Sequence, residues 1–170
     1  MPTTLISIVA GIALLGLLAT MAVPSSNAVQ SRRVEETARQ LKSLLQLAQS
    51  RSIATGVVHG VRYDLAATTF ELVSADLSAT PVVVLGLVND PISKQPARVQ
   101  IPLGITPPTG KPFLFSVLGS AFEVYFDRWG TPVHRNASIV QLTTTAVRFD
   151  QEMQSATVTL TPLTGRVVVN

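Results

Sequence analysis

The sequence predicts an α+β protein, with one long N-terminal helix packed on an antiparallel β-sheet domain. Three observations carry this expectation. An uncharged run of nineteen residues extends from Leu5 to Val23 and stops at Pro24. An apolar stripe with helical spacing follows it. Beyond Val57 the pattern changes to short segments separated by turn residues.

The first element is the uncharged run. Nineteen helical residues span roughly 28 Å, close to the ~30 Å hydrocarbon core of a bilayer. Only Ser7 and Thr20 are polar within it, and a helix absorbs hydroxyls by bonding them to its own carbonyls. A secretory signal has a basic start and a shorter apolar core. This run has no Lys or Arg before it, although Ser26-Asn27-Ala28 resembles a small-residue cleavage site that would leave a mature start at Val29. Ala10, Ala13, Gly16, Ala19 and Ala22 recur every third residue. On a helix they draw a small-residue ridge that admits close neighbours, though such residues are common in any membrane span.

Pro24 is expected to kink the helix, since it lacks an N–H and clashes with the preceding turn. Helical signals then resume. Val34, Ala38, Leu41, Leu45 and Ala48 are spaced 4, 3, 4 and 3 apart, which places them on one face. Arg32/Glu36 and Glu35/Arg39 are oppositely charged (i, i+4) pairs on the polar side. The helix is expected to end near Ala54, with Gly56 as its stop. The organisation expected is a transmembrane or assembly helix over 1–28, an amphipathic helix over 29–55 and a β-rich head over 56–170.

Strands are expected at Val57–Asp64 and Phe70–Ser74, joined by a turn at Ala66-Ala67-Thr68-Thr69. Pro81–Val88 is almost continuously apolar and reads as a strand buried on both faces. Ala97–Ile101 and Phe113–Val117 are weaker candidates. Phe122–Asp127 alternates, with Phe122, Val124 and Phe126 on one face and Glu123, Tyr125 and Asp127 on the other. Ile139–Thr143, Ala146–Phe149, Thr157–Thr161 and Arg166–Val169 follow, the last two joined by Pro162-Leu163-Thr164-Gly165. Segments 89–96 and 102–112, rich in Pro, Gly and polar residues, are expected to be mobile surface connections.

Composition narrows the chemistry. The chain has 170 residues, no cysteine and a net charge of +3. That excludes disulfides and thiol-based zinc sites. A pI near 9.8 is too mildly basic to argue alone for nucleic acid. His59 and His134 are the only histidines, and neither has a His or Cys at metal-ligand spacing. Both read as ordinary surface or turn residues. Asp127 and Asp150 do not form a recognisable acid/base pair. No phosphate-binding glycine loop and no nucleophile elbow occur. Trp129, beside Gly130, reads as a small-core plug unless it is exposed. An enzyme is not expected, and no metal or cofactor is implied.

The N-terminal stretch resembles that of type IV pilins and type II secretion pseudopilins. Thr4-Leu5-Ile6 match the family's Thr-Leu-Ile, Gly16 falls on a common family glycine, and Pro24 falls at the family's proline spacing. The end of the chain is similar to the H-type (FimT/GspH) minor pilin group. Phe126-Asp127-Arg128-Trp129-Gly130 looks like that group's Phe-x-x-x-Gly turn, and "VTLTPLTGRVVV" like its closing hairpin, with Gly165-Arg166 at the turn. The resemblance implies a pilin-like fold and a single-pass protein of the bacterial inner membrane. The head would lie in the periplasm, and the subunit would enter a periplasmic or extracellular filament. Implied partners are other pilin or pseudopilin subunits, an inner-membrane assembly platform and the lipid bilayer. Leu5, Ile6, Ser7, Gly16 and Pro24 would belong to the assembly helix, and an N-methylated start would fall at Thr3 or Met1.

Two departures stand out. The family's processing glycine falls on Pro2, which implies either a chain already mature or a different start. Ser7 replaces the glutamate that neutralises a neighbour's amino terminus, a feature of some specialised tip-initiating subunits or of a degenerate sequence. A DNA-binding minor pilin for natural transformation is an alternative, since members of the group capture DNA through an Arg-rich closing hairpin. Arg166 would be the contact here, and Arg128, Arg135 and Arg148 would join it only if folding gathers them. An unrelated secreted or membrane-anchored β-protein is the remaining alternative.

Overall fold

A computed structural model of the chain describes residues 26–79, 82–105, 123–136, 138–141, 145–151, 154–162 and 164–170. Helix α1 (Ser26–Thr55) opens this part. Its stripe is the expected one: Val34, Ala38, Leu41, Leu45 and Ala48 are all buried, joined by Leu44, Thr37 and Ser52. Burying a leucine such as Leu41 stabilises by about 1.5–3 kcal/mol. On the solvated face Arg39 pairs with Glu35 at 2.6 Å. Glu36 accepts from Gln40 Nε2 at 3.1 Å, in place of the expected Arg32 pair. The helix stops where expected. Gly56 takes φ +69° and its N–H donates to the Ser52 carbonyl at 3.0 Å, a left-handed cap that glycine adopts without steric cost. The uncharged run and the Pro24 kink lie outside the described residues, and no described helix is long and apolar enough to cross a membrane.

Among the described residues ten strands follow: β1 (His59–Asp64), β2 (Thr69–Asp76), β3 (Val83–Leu87), β4 (Arg98–Gln100), β5 (Glu123–Phe126), β6 (Pro132–Asn136), β7 (Ser138–Gln141), β8 (Thr145–Gln151), β9 (Gln154–Leu160) and β10 (Val167–Val169). A seven-stranded sheet has the order β3-β2-β1-β5-β6-β7, with β4 also on β2. A three-stranded sheet has the order β10-β9-β8. All pairings among the described strands are antiparallel, for example Val61↔Leu72 and Val147↔Val158. Helix α1 packs against both sheets. One cluster joins its stripe to Val61, Tyr63, Phe70, Leu72, Val124 and Phe126 of the large sheet and to Val147, Phe149, Val158 and Leu160 of the small one. Phe70 meets Phe149 edge-on at 6.0 Å, which ties the two sheets together.

Several expectations need correction. The Pro81–Val88 run is not buried on both faces. Val83, Leu85 and Leu87 are 47%, 62% and 43% exposed, because β3 is an edge strand whose register shifts at Ser74/Ala75. An edge strand has one neighbour, so an apolar run does not by itself mean a covered strand. The polar face expected for Phe122–Asp127 is also filled. Tyr125 is buried with Val73, Ala75, Leu77 and Val133 in a second cluster, and its hydroxyl donates to Glu123 at 3.2 Å.

Segment 89–96 is a surface connection, as expected, and it is closed by hydrogen bonds. β3 and β4 follow each other along one edge of β2, and the chain leaves and returns at Leu72. Val88 N donates to the Leu72 carbonyl and Leu72 N to the Ala97 carbonyl, both at 2.9 Å. Asn89 and Pro96 bridge its neck, and the Asp90 carboxylate accepts from Ile92 N and Ser93 N at 2.8 Å. The expected hairpin turn shifts by one residue to 65–68. β6 was not expected, since Pro132 and His134-Arg135-Asn136 do not alternate with apolar residues. The Phe113–Val117 candidate and most of segment 102–112 lie outside the described residues.

Candidate functional site

Of the sequence-predicted site residues, Met1, Thr3, Leu5, Ile6, Ser7, Gly16 and Pro24 lie outside the described residues. Arg128, Arg148 and Arg166 lie within them, and all three are exposed. The fold brings together the turns that carry the first and last of these. Gln49, on the helix flank beside the buried stripe, donates its Nε2 to two carbonyls: Gly130 at 2.9 Å and Thr164 at 3.1 Å. One side chain therefore joins two turns that are remote in sequence.

Each turn is locked locally. In the first, the Asp127 carboxylate accepts from Trp129 N at 2.9 Å and Thr131 N at 2.8 Å. Gly130 N donates to the Asp127 carbonyl at 2.9 Å, and Asp127 N to the Thr131 carbonyl at 3.0 Å. Asparagine-like turns of this kind favour Asp because its short carboxylate reaches the backbone two residues on. In the second turn, Thr161 N donates to the Arg166 carbonyl at 2.9 Å and Gly165 N to the Thr161 carbonyl at 3.0 Å. This is the closing hairpin expected from the sequence, with Gly165 at φ +63°.

Trp129 is not a core plug. It is 69% exposed, and the Arg128 guanidinium stacks over its ring at 4.2 Å from the centroid. Ile53 of α1 lies against Gly130 and is 56% exposed. Arg148 stands apart. It is opposite Thr157 in the small sheet, four residues along β9 from Thr161, or about 13 Å at the rise of a strand. The side chains of His134 and Arg135 are outside the described set.

His59 is a buried residue and not a surface one. It is 6% exposed. Its N–H donates to Ser52 Oγ at 3.0 Å, and its ring Nδ1 lies 2.9 Å from the Val57 carbonyl. A carbonyl only accepts, so the neutral ring carries its proton on Nδ1. Burial lowers the imidazole pKa most, the Val57 carbonyl raises it, and the Arg51 charge lowers it further. The histidine closes the helix–strand junction. Groups of three or more His, Cys, Asp or Glu suited to a metal are absent among the described residues.

What sequence reasoning missed was Gln49. A glutamine on the flank of an amphipathic helix carries no signal; the two glycine turns it joins were visible, but not that they meet.

Against known proteins, no family model and no curated sequence matches the chain. Solved structures do. One structure of the minor pseudopilin EpsH from the type II secretion system of Vibrio cholerae superposes with a TM-score of 0.55 at 13% identity, over 81% of this chain and 96% of that one. A second structure of the same protein gives 0.53 at 15% identity, over 82% and 94%. At these identities the likeness is one of fold: a helix laid across antiparallel sheets, nearly the full length of EpsH. The chain therefore has a pilin-like α+β fold, the fold of the minor pseudopilin EpsH.

Proposed function

We propose that the chain is a structural subunit, a minor pilin or pseudopilin, of a type II secretion pseudopilus or a type IV pilus, and that it is not an enzyme. The observation that supports this best is a continuity. The uncharged run Leu5–Val23 leads directly into α1, and α1 packs its stripe on a head with the fold of EpsH. In this reading residues 1–28 hold the subunit in the inner membrane, with the head in the periplasm. Lipid burial strongly favours that state, so extraction requires an assembly platform. In the filament, neighbouring helices replace lipid around the run and the heads cover the outside. Pro24 weakens the local hydrogen bonding and permits a bend between the two halves. Ser7, in place of a carboxylate, removes one electrostatic docking contact. That suits a specialised position more than a repeating one, since an intramembrane charge costs about 2.5–3.5 kcal/mol and pairing it drives docking. Processing that leaves a methylated Thr3 or Met1 belongs to the same reading.

Deleting residues 1–28 tests it. The remaining chain is expected to be a soluble monomer that no longer co-assembles with partner subunits. Co-assembly of the shortened chain would overturn the reading. A DNA-receptor role has weaker support, because Arg148 is not gathered with Arg128 and Arg166, and two cations release few counterions. Gel shifts at two salt concentrations test that alternative.

A further inference from the structure

We propose that the ledge formed by Ile53, Arg128, Trp129 and Arg166 docks an acidic surface with an apolar centre on a neighbouring subunit. The proposal rests on the subunit reading for the identity of its partner and names where on the head that partner sits.

The apolar part is built and open. Trp129 is the sole tryptophan of the chain and is 69% exposed, and Ile53 is 56% exposed. A Cβ on Gly130 would come within 2.7 Å of Ile53 Cδ1, so Ile53 lies against the residue that follows Trp129. Tryptophan and arginine are the residues most enriched at binding hot spots. The ring is also presented rigidly. Four hydrogen bonds close its turn, two of them to the Asp127 carboxylate, and Gln49 fixes the turn to the helix. Little freedom remains to be lost on docking, which favours affinity.

Charge selects the partner. The Arg128 guanidinium carbon sits over the ring at 4.2 Å from its centroid, and an exposed guanidinium is suited to carboxylates. Arg166 projects from the adjoining turn and is exposed. The carboxylate in the ledge, Asp127, is engaged by backbone N–H groups of its own turn. With two arginines against that one carboxylate, the ledge keeps a net positive charge around an aromatic centre, complementary to carboxylates around an apolar one. A nucleic acid fits less well, because the third arginine stands about 13 Å away along the strand.

The full chain in detergent micelles is titrated with a peptide of Leu and Phe flanked by Glu on both sides, read by tryptophan fluorescence. The expected result is a saturable blue shift, weakened at least tenfold by Arg128→Gln with Arg166→Gln and absent when the peptide's Glu residues are Lys. No saturable shift, an equal response to the Lys peptide, or a stronger response to a thymidine 12-mer overturns the proposal. In the host cell, Arg128→Glu with Arg166→Glu is expected to cut entry into filaments at least tenfold while the membrane-inserted pool persists. Unchanged entry overturns the ledge. If deletion of residues 1–28 also leaves entry unchanged, the subunit reading itself has failed.

Discussion

Gln49 Nε2 occupies the space in which a side chain on Gly165 would stand. Gly165 also has φ +63°. Two independent demands thus fall on one position: a left-handed backbone and room for an amide from the helix. Gly165→Ala is expected to cost about 1–2 kcal/mol in backbone strain and about 0.5–1.5 kcal/mol for each hydrogen bond lost when Gln49 is displaced. In a Gln49→Ala background the backbone strain and the 3.0 Å approach to the Gly130 carbonyl should remain. Urea unfolding of the two single variants and the double variant checks this as a cycle; strict additivity would show that the amide and the turn are not coupled.

His59 makes stability depend on pH in a stated direction. Its pKa is lowered from 6.5 in the fold, first by burial. The unfolded chain therefore takes up a proton at higher pH than the folded one. The stabilisation is complete above about pH 6.5 and is lost as pH falls through the lower folded value. Chemical denaturation between pH 8 and 5 should show stability declining below pH 6.5, and His59→Asn should remove that part of the decline. A decline of equal size in His59→Asn would assign it to other groups.

Periodicity made the helix legible, down to its Gly56 stop, because a 3.6-residue repeat needs no knowledge of the partner. The β1–β2 and β9–β10 hairpins were legible from turn residues. Position within a sheet was not. Pro81–Val88 and Phe122–Asp127 show why: an apolar run and a clean alternation describe side chains, but whether a face is covered depends on which strands lie beside it. So β3 was expected inside and lies at the edge, and Tyr125 was expected outside and lies buried beneath a second cluster. His59 and Trp129 were misread for the same reason, one at a junction closed by Ser52 and one on a turn held outward.

Edge strand β3 carries a liability that a single charge should relieve. Val83, Leu85 and Leu87 are exposed, and no charged residue occurs between Leu77 and Val88. Natural edges are protected by charge, proline or bulges; here the register shift at Ser74/Ala75 supplies only the last. Leu85→Lys should change stability by no more than about 0.5 kcal/mol, as for exposed substitutions generally, while slowing aggregation on heating. Urea unfolding measures the first and light scattering during a thermal ramp the second. An unaltered aggregation rate would mean that β3 does not nucleate it.

Glu71 should matter more than either of its partners. Its side chain is 5% exposed and meets Arg62 at 3.2 Å and Arg98 at 3.9 Å. Arg62 faces it from β1 and Arg98 from β4, so one buried acceptor serves strands on both sides of β2. Arg98 is 45% exposed at the longer distance, where solvent screens the attraction, and Arg98→Ala should cost less than about 1 kcal/mol. Glu71→Gln removes the common anion and leaves a buried amide facing two cations. It should cost about 1–3 kcal/mol, the range for a buried polar group deprived of its partners. Thermal unfolding of the two variants decides between this account and one in which the three charges contribute equally: equal losses for Arg98→Ala and Glu71→Gln would favour the latter.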